Sequence, residues 1–392
     1  MNFPELKLKS KREKSIINKH PWIFSGAVDK ANAKEGDIVE VKSADGKTLG
    51  FGFYSKESQI SCRMFHWGEK PEDFESSEYW QNKILKAVLL RKSFINYSQT
   101  NAYRLLHAEG DFLPGIIADI YNDVCVVQIL IEGVNRRRSL FVEALTKAGF
   151  KNIFLRNSGS SKANQDVVME GDWLAGSSSK EIEILEHGQK FLIDLEKGQK
   201  TGFFLDQREN RELIKAYSKG KTVLNAFSYT GGFSVYAHAG GAKEVHSLDI
   251  SQPAVEGAIT NVRLNYADAN HKGISKDCFE YLNEMPADFY DFIILDPPAF
   301  AKSAKAVDRA ARGYKDINLR AFRKIKSGGL LATFSCSQHI SKDLFQKIIF
   351  GASADSGRNV RIVQHLHQPA DHPVNIFHPE GEYLKGLLLW VE

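Results

Sequence analysis

The chain has 392 residues, a formal net charge of +4 and 43% hydrophobic residues. It is too long for one ordinary core, so two or three domains are expected in a soluble globular protein. No apolar run approaches the roughly 20 residues of a membrane helix, and four scattered cysteines without a CxxC pair argue for unbridged thiols and against a structural zinc, so no metal is expected. The start, "MNFPELKLKSKREKS", is charged and lacks the apolar core of a signal peptide, which makes the cytoplasm the default location.

Residues 1–72 read as a small β-rich domain. "DIVEVKSADGKTLGFGFYS" alternates apolar and polar residues around the turn signal Asp45-Gly46, a hairpin pattern, and "QISCRMFHW" gives another strand. Residues 73–180 change character. From Tyr79, Ile84, Leu85, Val88 and Leu89 recur at helical spacing. "YRLLHAEGDFLPGIIADIYNDVCVVQIL" reads as strands joined by turns, followed by a helix over 135–147 and the strand "NIFLR". "NSGSSKAN" predicts a loop and "GSSSK" near 178 a linker. Positive charge gathers at Lys7, Lys9, Lys11, Arg12, Lys14 and Lys19, at Arg136, Arg137 and Arg138, and at Arg309, Arg312 and Lys315. Such runs are usually solvated faces, but on a mildly basic chain they also suit an anionic partner such as nucleic acid.

From about 181 to 392 strands alternate with helices. "TVLNAF", "EVHSLDI", "FIILD", "LLATFS" and "YLKGLLLWV" are the expected core strands, which implies a doubly wound α/β sheet with right-handed crossovers. Ligands of such sheets bind outside the carboxyl ends of the strands. After "TVLNAF", Gly231 and Gly232 allow a tight turn close to a ligand before a helix near Phe233. The next strand ends at Asp249, where an acid can accept both hydroxyls of a ribose. There is no GxGxxG fingerprint and no lysine to cradle a triphosphate, which favours S-adenosylmethionine over a dinucleotide or ATP. Asp277 ends another strand; it suits an adenine amino group, and equally an N-cap. Cys278 beside it could line the same pocket.

"FIILDPPAF" raises a further question. Phe292–Leu295 form a fully apolar strand, and Pro297 and Pro298 stop the ladder directly after Asp296. Asp296 and Phe300, fixed there, can hold a flat polar ring. Cys336 follows the next apolar run, "LLATFS", in polar company at the same rim. Thiolate attack on C6 of a pyrimidine makes C5 nucleophilic, a chemistry that needs one cysteine and one carboxylate with the base between them. A lone cysteine can also be an ordinary core residue.

"KGQKTGFFLDQRENR", "VLNAFSYTGGFS", "DPPAF", "ARGYKDINL", "FSCSQH" and "ADHPVNIFHPEGEYLKG" resemble the bacterial 23S rRNA large-subunit methyltransferase I family over nearly the whole chain. These are class I S-adenosylmethionine-dependent enzymes that make 5-methylcytosine. The resemblance implies an N-terminal PUA RNA-binding domain, a central strand-strand-helix-strand-strand domain and a C-terminal methyltransferase domain. It implies that Phe227, Thr230, Gly231 and Gly232 line the methionine side of the cofactor, Asp249 holds the ribose, and Asp277 with Cys278 the adenine. Gln207 would belong to a segment closing over the cofactor. Asp296 would face both cofactor and target base, Phe300 would contact the base, and Cys336 would be the nucleophile. The better-known two-cysteine 5-methylcytosine enzymes carry a second cysteine in the "DPP" motif; here there is none, which leaves the general base open. Ribosomal RNA is the implied partner, and the oligomeric state is open, a homodimer included. Methylation of an exocyclic nitrogen, using Asp296 and Phe300 without Cys336, and a non-catalytic assembly factor are the competing readings.

Overall fold

The computed structural model describes residues 2–156, 171–196, 198, 201–301 and 303–392. The expected loop at 157–164 lies outside the described residues. The chain divides into two compact units: residues 1–184, 193–205 and 370–381, and residues 185–192, 206–369 and 382–392.

The first unit opens with a six-stranded sheet. Its strands are β1 (Glu5–Leu8), β2 (Trp22–Phe24), β3 (Val28–Ala31), β4 (Ile38–Lys42), β5 (Thr48–Tyr54) and β6 (Ile60–Trp67), in the order β2-β6-β5-β4-β1-β3, with a one-turn helix, α1 (Lys14–Ile17). The β4–β5 hairpin turns at Gly46, whose φ of +92° suits glycine. Helix α2 (Ser77–Lys92) starts at Ser76, whose side chain accepts from the Glu78 amide. Strands β7 (Ala102–His107), β8 (Ile116–Tyr121) and β9 (Val124–Ile129) form a meander. Two helices follow, α3 (Glu132–Asn135) and α4 (Arg138–Lys147), where sequence periodicity predicts one. Strands β10 (Asn152–Leu155) and β11 (Asp172–Ala175) complete a five-stranded sheet. Phe51, Phe53 and Phe65 from the first sheet share a core with Trp80 and Phe141 from the helices.

The break between α3 and α4 falls at the arginine knot. Arg136 pairs with Asp37 at 3.2 Å, and Arg137 pairs with Glu75 at 2.7 Å and donates to the Gly36 carbonyl at 3.0 Å. Two of the three arginines are therefore engaged within the unit. Lys9, Lys11, Arg12, Lys14 and Lys19 are exposed. Arg12 also lines a groove of about 250 Å³ with Ile16, Trp22, Phe24 and Gly26.

Strands β12 (Glu181–Glu186) and β13 (Gln189–Asp194) form a two-stranded sheet, joined by His187 and Gly188, both at positive φ. The second unit is built on a seven-stranded sheet. Its elements in chain order are α5 (Arg208–Tyr217), β14 (Thr222–Ala226), α6 (Gly232–Ala239), β15 (Glu244–Asp249), α7 (Gln252–Asn265), β16 (His271–Ser275), α8 (Cys278–Glu284), β17 (Phe292–Leu295), α9 (Val307–Lys324), β18 (Gly329–Ser335), α10 (Lys342–Ser356), β19 (Val360–His367) and β20 (Lys385–Val391). The strand order is β16-β15-β14-β17-β18-β20-β19. The first five are mutually parallel, and β20 runs antiparallel to both neighbours. This is the doubly wound α/β architecture of the class I methyltransferases. β14 and β17 are buried along their whole length, as strands covered on both faces must be. Helix α9 presents Ala310, Tyr314, Ile317, Asn318, Ala321 and Phe322 to the core at helical spacing.

Glu186 and Arg211 form a fully buried ion pair, with Arg211 Nε and Nη2 each 2.7 Å from a carboxylate oxygen. The Tyr236 hydroxyl donates to the Glu186 carbonyl at 2.9 Å. Removing one partner strands the other charge away from water. Glu186→Ala is expected to lower stability by about 3–5 kcal/mol in urea denaturation, with much of that loss recovered when Arg211→Leu is added.

Candidate active site at the carboxyl edge of the parallel sheet

Strand register brings the site together. Ala226 pairs with Leu248 on one side and Leu295 on the other, so the following residues, Phe227, Asp249 and Asp296, leave the sheet at one level. Leu295 also pairs with Thr333. Asp296 stands one residue past that pair and Cys336 three, an offset of about 7 Å along the strand direction.

The β14–α6 loop is tightly curled. Phe227, Tyr229 and Gly231 have φ of +60°, +45° and +80°. Left-handed backbone at two non-glycine residues costs free energy and persists only where the surrounding structure over-determines it. A side chain at Gly231 would also collide with α7, since a Cβ there would lie 2.8 Å from that of Ala258. Asp249 stabilises the curl: Oδ2 accepts from the Tyr229 amide at 3.0 Å and Oδ1 from the Ser251 amide at 2.9 Å. Each oxygen keeps a further lone pair for a hydroxyl donor. Asn261 donates to the Thr230 carbonyl at 2.9 Å, tying the loop to α7. The Ser228 hydroxyl is buried in this loop with no protein partner among the described residues, and so is available to a ligand.

Asp277 caps α8, accepting from the Glu280 amide at 3.0 Å. The capping alternative is realised, and the second carboxylate oxygen remains beside Cys278. The Cys278 thiol is buried 4.0 Å from the Leu248 carbonyl, and burial pushes its pKa up to about 12. Burial pushes Cys62 and Cys125 further in the same direction. Cys336 is the cysteine that is not buried.

Gln207 is buried and donates from Nε2 to Asp296 Oδ1 at 3.0 Å, while Asn210 donates to Gln207 Oε1 at 2.6 Å. Asp206 accepts from the Tyr383 hydroxyl at 2.8 Å. Phe300 packs on Tyr314, with ring centroids 4.6 Å apart, and faces Phe279 at 6.1 Å. Phe279 and Phe300, with Arg309, Ala310 and Gly313, line a groove of about 310 Å³.

Ser337 joins the elements around Cys336. Its hydroxyl accepts from the Ala301 amide at 3.1 Å and lies 2.9 Å from the Tyr314 hydroxyl. Lys385 donates to the Ser337 carbonyl at 2.7 Å. Sequence reasoning assigned no role to Asn210, Tyr314, Ser337 or Lys385. A lysine in the otherwise apolar "LKGLLLWV" was the available signal.

The arrangement suits an adenosyl cofactor: Asp249 offers carboxylate acceptors at one strand end, Asp277 and Cys278 follow the next strand, and the curled loop carries the buried Ser228 hydroxyl. Residues 118–388 match the S-adenosylmethionine-dependent methyltransferases, and residues 6–67 match the PUA-like domain. A methyltransferase crystallised with SAH superposes with a TM-score of 0.86 at 25% identity, covering 98% of this chain and 99% of that one. A SAM-dependent methyltransferase from Streptococcus mutans gives 0.85 at 25%, with the same coverage. Fold and site together define a class I methyltransferase that uses S-adenosylmethionine and carries an N-terminal PUA-like domain. A relative from Alteromonas mediterranea is 40% identical, with 97% of each chain covered, and one from Pseudoalteromonas atlantica is 42% identical, with 96% of each covered. Both bear the name ribosomal RNA large subunit methyltransferase I, and this chain belongs to that family.

Asp249→Asn replaces one accepting oxygen with a donor. It is expected to weaken S-adenosylmethionine binding about 10- to 100-fold in calorimetric titration, the worth of one charge-assisted hydrogen bond. Unchanged affinity would remove Asp249 from the site.

Proposed function

We propose that the protein methylates C5 of a cytosine in large-subunit ribosomal RNA through a covalent adduct at C6, with Cys336 as the nucleophile. The observation that supports this reading is that Asp296 and Cys336 follow the carboxyl ends of two adjacent parallel strands, while the other three thiols are buried. The relatives' names support ribosomal RNA as substrate and, with it, the cytoplasm as the place of action. The chain is read as three functional parts: 1–72 for RNA, 73–180 as the central domain, and 181–392 for methyl transfer.

When bound, S-adenosylmethionine supplies a methyl group on a sulfonium sulfur and leaves as neutral S-adenosylhomocysteine. Asp249 holds the ribose, Asp277 and Cys278 flank the adenine, and Phe227, Thr230, Gly231 and Gly232 shape the methionine side. Gln207 fixes one oxygen of Asp296. The carboxyl group of Asp296 accepts from the cytosine N4 amino group and gives its proton to N3 as the thiolate adds, taking it back on elimination. Phe300, immobilised by Tyr314, gives the site an aromatic wall. The Cys336 thiolate forms a bond to C6, and the electron pair of the C5–C6 double bond moves to C5. Once C5 carries the methyl group, it gives its proton to a base. Elimination then restores the double bond, breaks the Sγ–C6 bond and regenerates the thiolate. A base stacked in a duplex cannot reach such a pocket, so the cytosine is single-stranded or flipped out, at a cost of about a few kcal/mol. The exposed cations of the N-terminal domain offset that cost through phosphate contacts.

Cys336→Ser is expected to abolish transfer while S-adenosylmethionine still binds, because a hydroxyl is a far poorer nucleophile. RNA containing 5-fluorocytosine is expected to trap the wild-type enzyme, since fluorine cannot leave as a proton does. Robust turnover by the serine variant, with no adduct in the wild type, would instead indicate methylation at nitrogen. A second measurement addresses RNA. Reversing Lys11, Arg12 and Lys14 to glutamate is expected to flatten the log–log salt dependence of RNA affinity by about 2, at about 0.7 for each phosphate no longer neutralised. An unchanged slope would place the RNA anchor elsewhere.

A further inference from the structure

Lys385 opens β20 and is buried, followed along the strand by Gly, Leu, Trp and Val. A buried ammonium group is costly unless its donors find acceptors. Nζ donates to the Ser337 carbonyl at 2.7 Å and to the Ile340 carbonyl at 2.5 Å. Both carbonyls lie in the turn that begins with Cys336 and ends at Ser341, the N-cap of α10. Register sets Lys385 opposite Ser335 on β18 and His367 on β19. No carboxylate among the described residues pairs with it. The titratable and charged groups around it are Cys336 after β18, Tyr314 on α9 (whose hydroxyl meets Ser337), Lys342 on α10, His367 on β19 and Glu382 before its own strand.

We infer that Lys385 is the positioning residue for the Cys336 thiolate: it holds the 336–341 turn by two carbonyls and sets a buried positive charge beside the sulfur. The inference rests on the reading of Cys336 as the nucleophile. Lys385 forms no bond to substrate; the thiol proton leaves to water, and the ammonium keeps its own. Burial pushes Lys385 down to about 8, and Cys336, ahead of Glu382, acts in the opposite sense. The cation is therefore present at neutral pH and is lost as pH rises through about 8. Its help to the thiolate is complete below that range and fades above it. Two neutral carbonyls take two of its three N–H donors without cancelling the charge, which a carboxylate partner would do.

The test is alkylation of Cys336 by iodoacetamide as a function of pH, in the full-length protein, followed by peptide mass. The other three cysteines are buried, so the readout is selective. Lys385→Met is expected to move the midpoint up by about one pH unit, which reads as roughly tenfold slower alkylation at pH 7. kcat on ribosomal RNA should fall by a similar factor, with KM and S-adenosylmethionine affinity retained. Lys385→Arg should keep most of the alkylation rate. An unchanged midpoint in Lys385→Met overturns the inference. If that variant no longer binds S-adenosylmethionine, the wild-type profile decides: a midpoint below the ordinary value of about 8.5 supports the inference, and one at or above it overturns it. The two readings separate cleanly. A shifted profile beside a Cys336→Ser enzyme that still turns over removes the nucleophile but keeps the lysine–thiol coupling. An unshifted profile beside an inactive Cys336→Ser enzyme does the reverse.

Discussion

The site depends on the register of four parallel strands. Residues at that edge come from positions as distant as Phe227 and Cys336. The pairings of Ala226 with Leu248 and Leu295, and of Leu295 with Thr333, set where each chain segment leaves the sheet. A slip of one residue would turn every apolar side chain of a strand to the opposite face. Leu224 and Ile293 pack in one core layer and Val223 and Ile294 in the other, so such a slip would exchange side chains between two packed layers. The hydrophobic core and the geometry of the chemistry are thus held by one set of backbone hydrogen bonds.

Above that edge the polar contacts form two groups. One is the β14–α6 loop, where Asp249 accepts from two amides and the backbone adopts left-handed angles at Phe227 and Tyr229. The other surrounds the cysteine, where Ser337 links the loop after Pro298, helix α9 and strand β20. Gln207 reaches Asp296 between them and is itself held by Asn210. Buried side-chain networks of this kind are strong when every member is satisfied and costly when one is not. A change at Tyr314 or Asn210 would therefore act on the site without touching a substrate.

Local patterns carried most of the secondary structure and about half of the site. Apolar runs announced β17, β18 and β20, the alternation of strands with helices announced β14 and β15, and the turn signal at Gly46 announced the β4–β5 hairpin. Gly231 and Asp249 stood out because their types at strand ends have few structural uses. Other features were not legible. Strand β19 is mostly exposed on its outer side and carries polar residues at Arg361, Gln364 and His365, so it lacks the apolar run that marks its neighbours. The helix expected over 135–147 is interrupted because Arg136 and Arg137 turn aside to Asp37 and Glu75, acids far away in the chain. The same pairs show why a knot of arginines in sequence need not be a charged surface. Ser337, Tyr314 and Lys385 were invisible as a group because 23 and 48 residues separate Ser337 from its partners.

Strand β20 lies between β18 and β19 although it follows both in the chain. During synthesis β18 must therefore wait with one side of its backbone unpaired until residues 385–391 emerge. An apolar strand with an open flank is a template for pairing with other chains. The helices that cover the sheet can dock before then, but the sheet cannot close. The interval before β20 arrives is the time when the nascent protein is most exposed to aggregation and most in need of chaperone protection. A cut between His367 and Lys385 would leave this interior strand held only by its pairing with β18 and β19 and its core contacts.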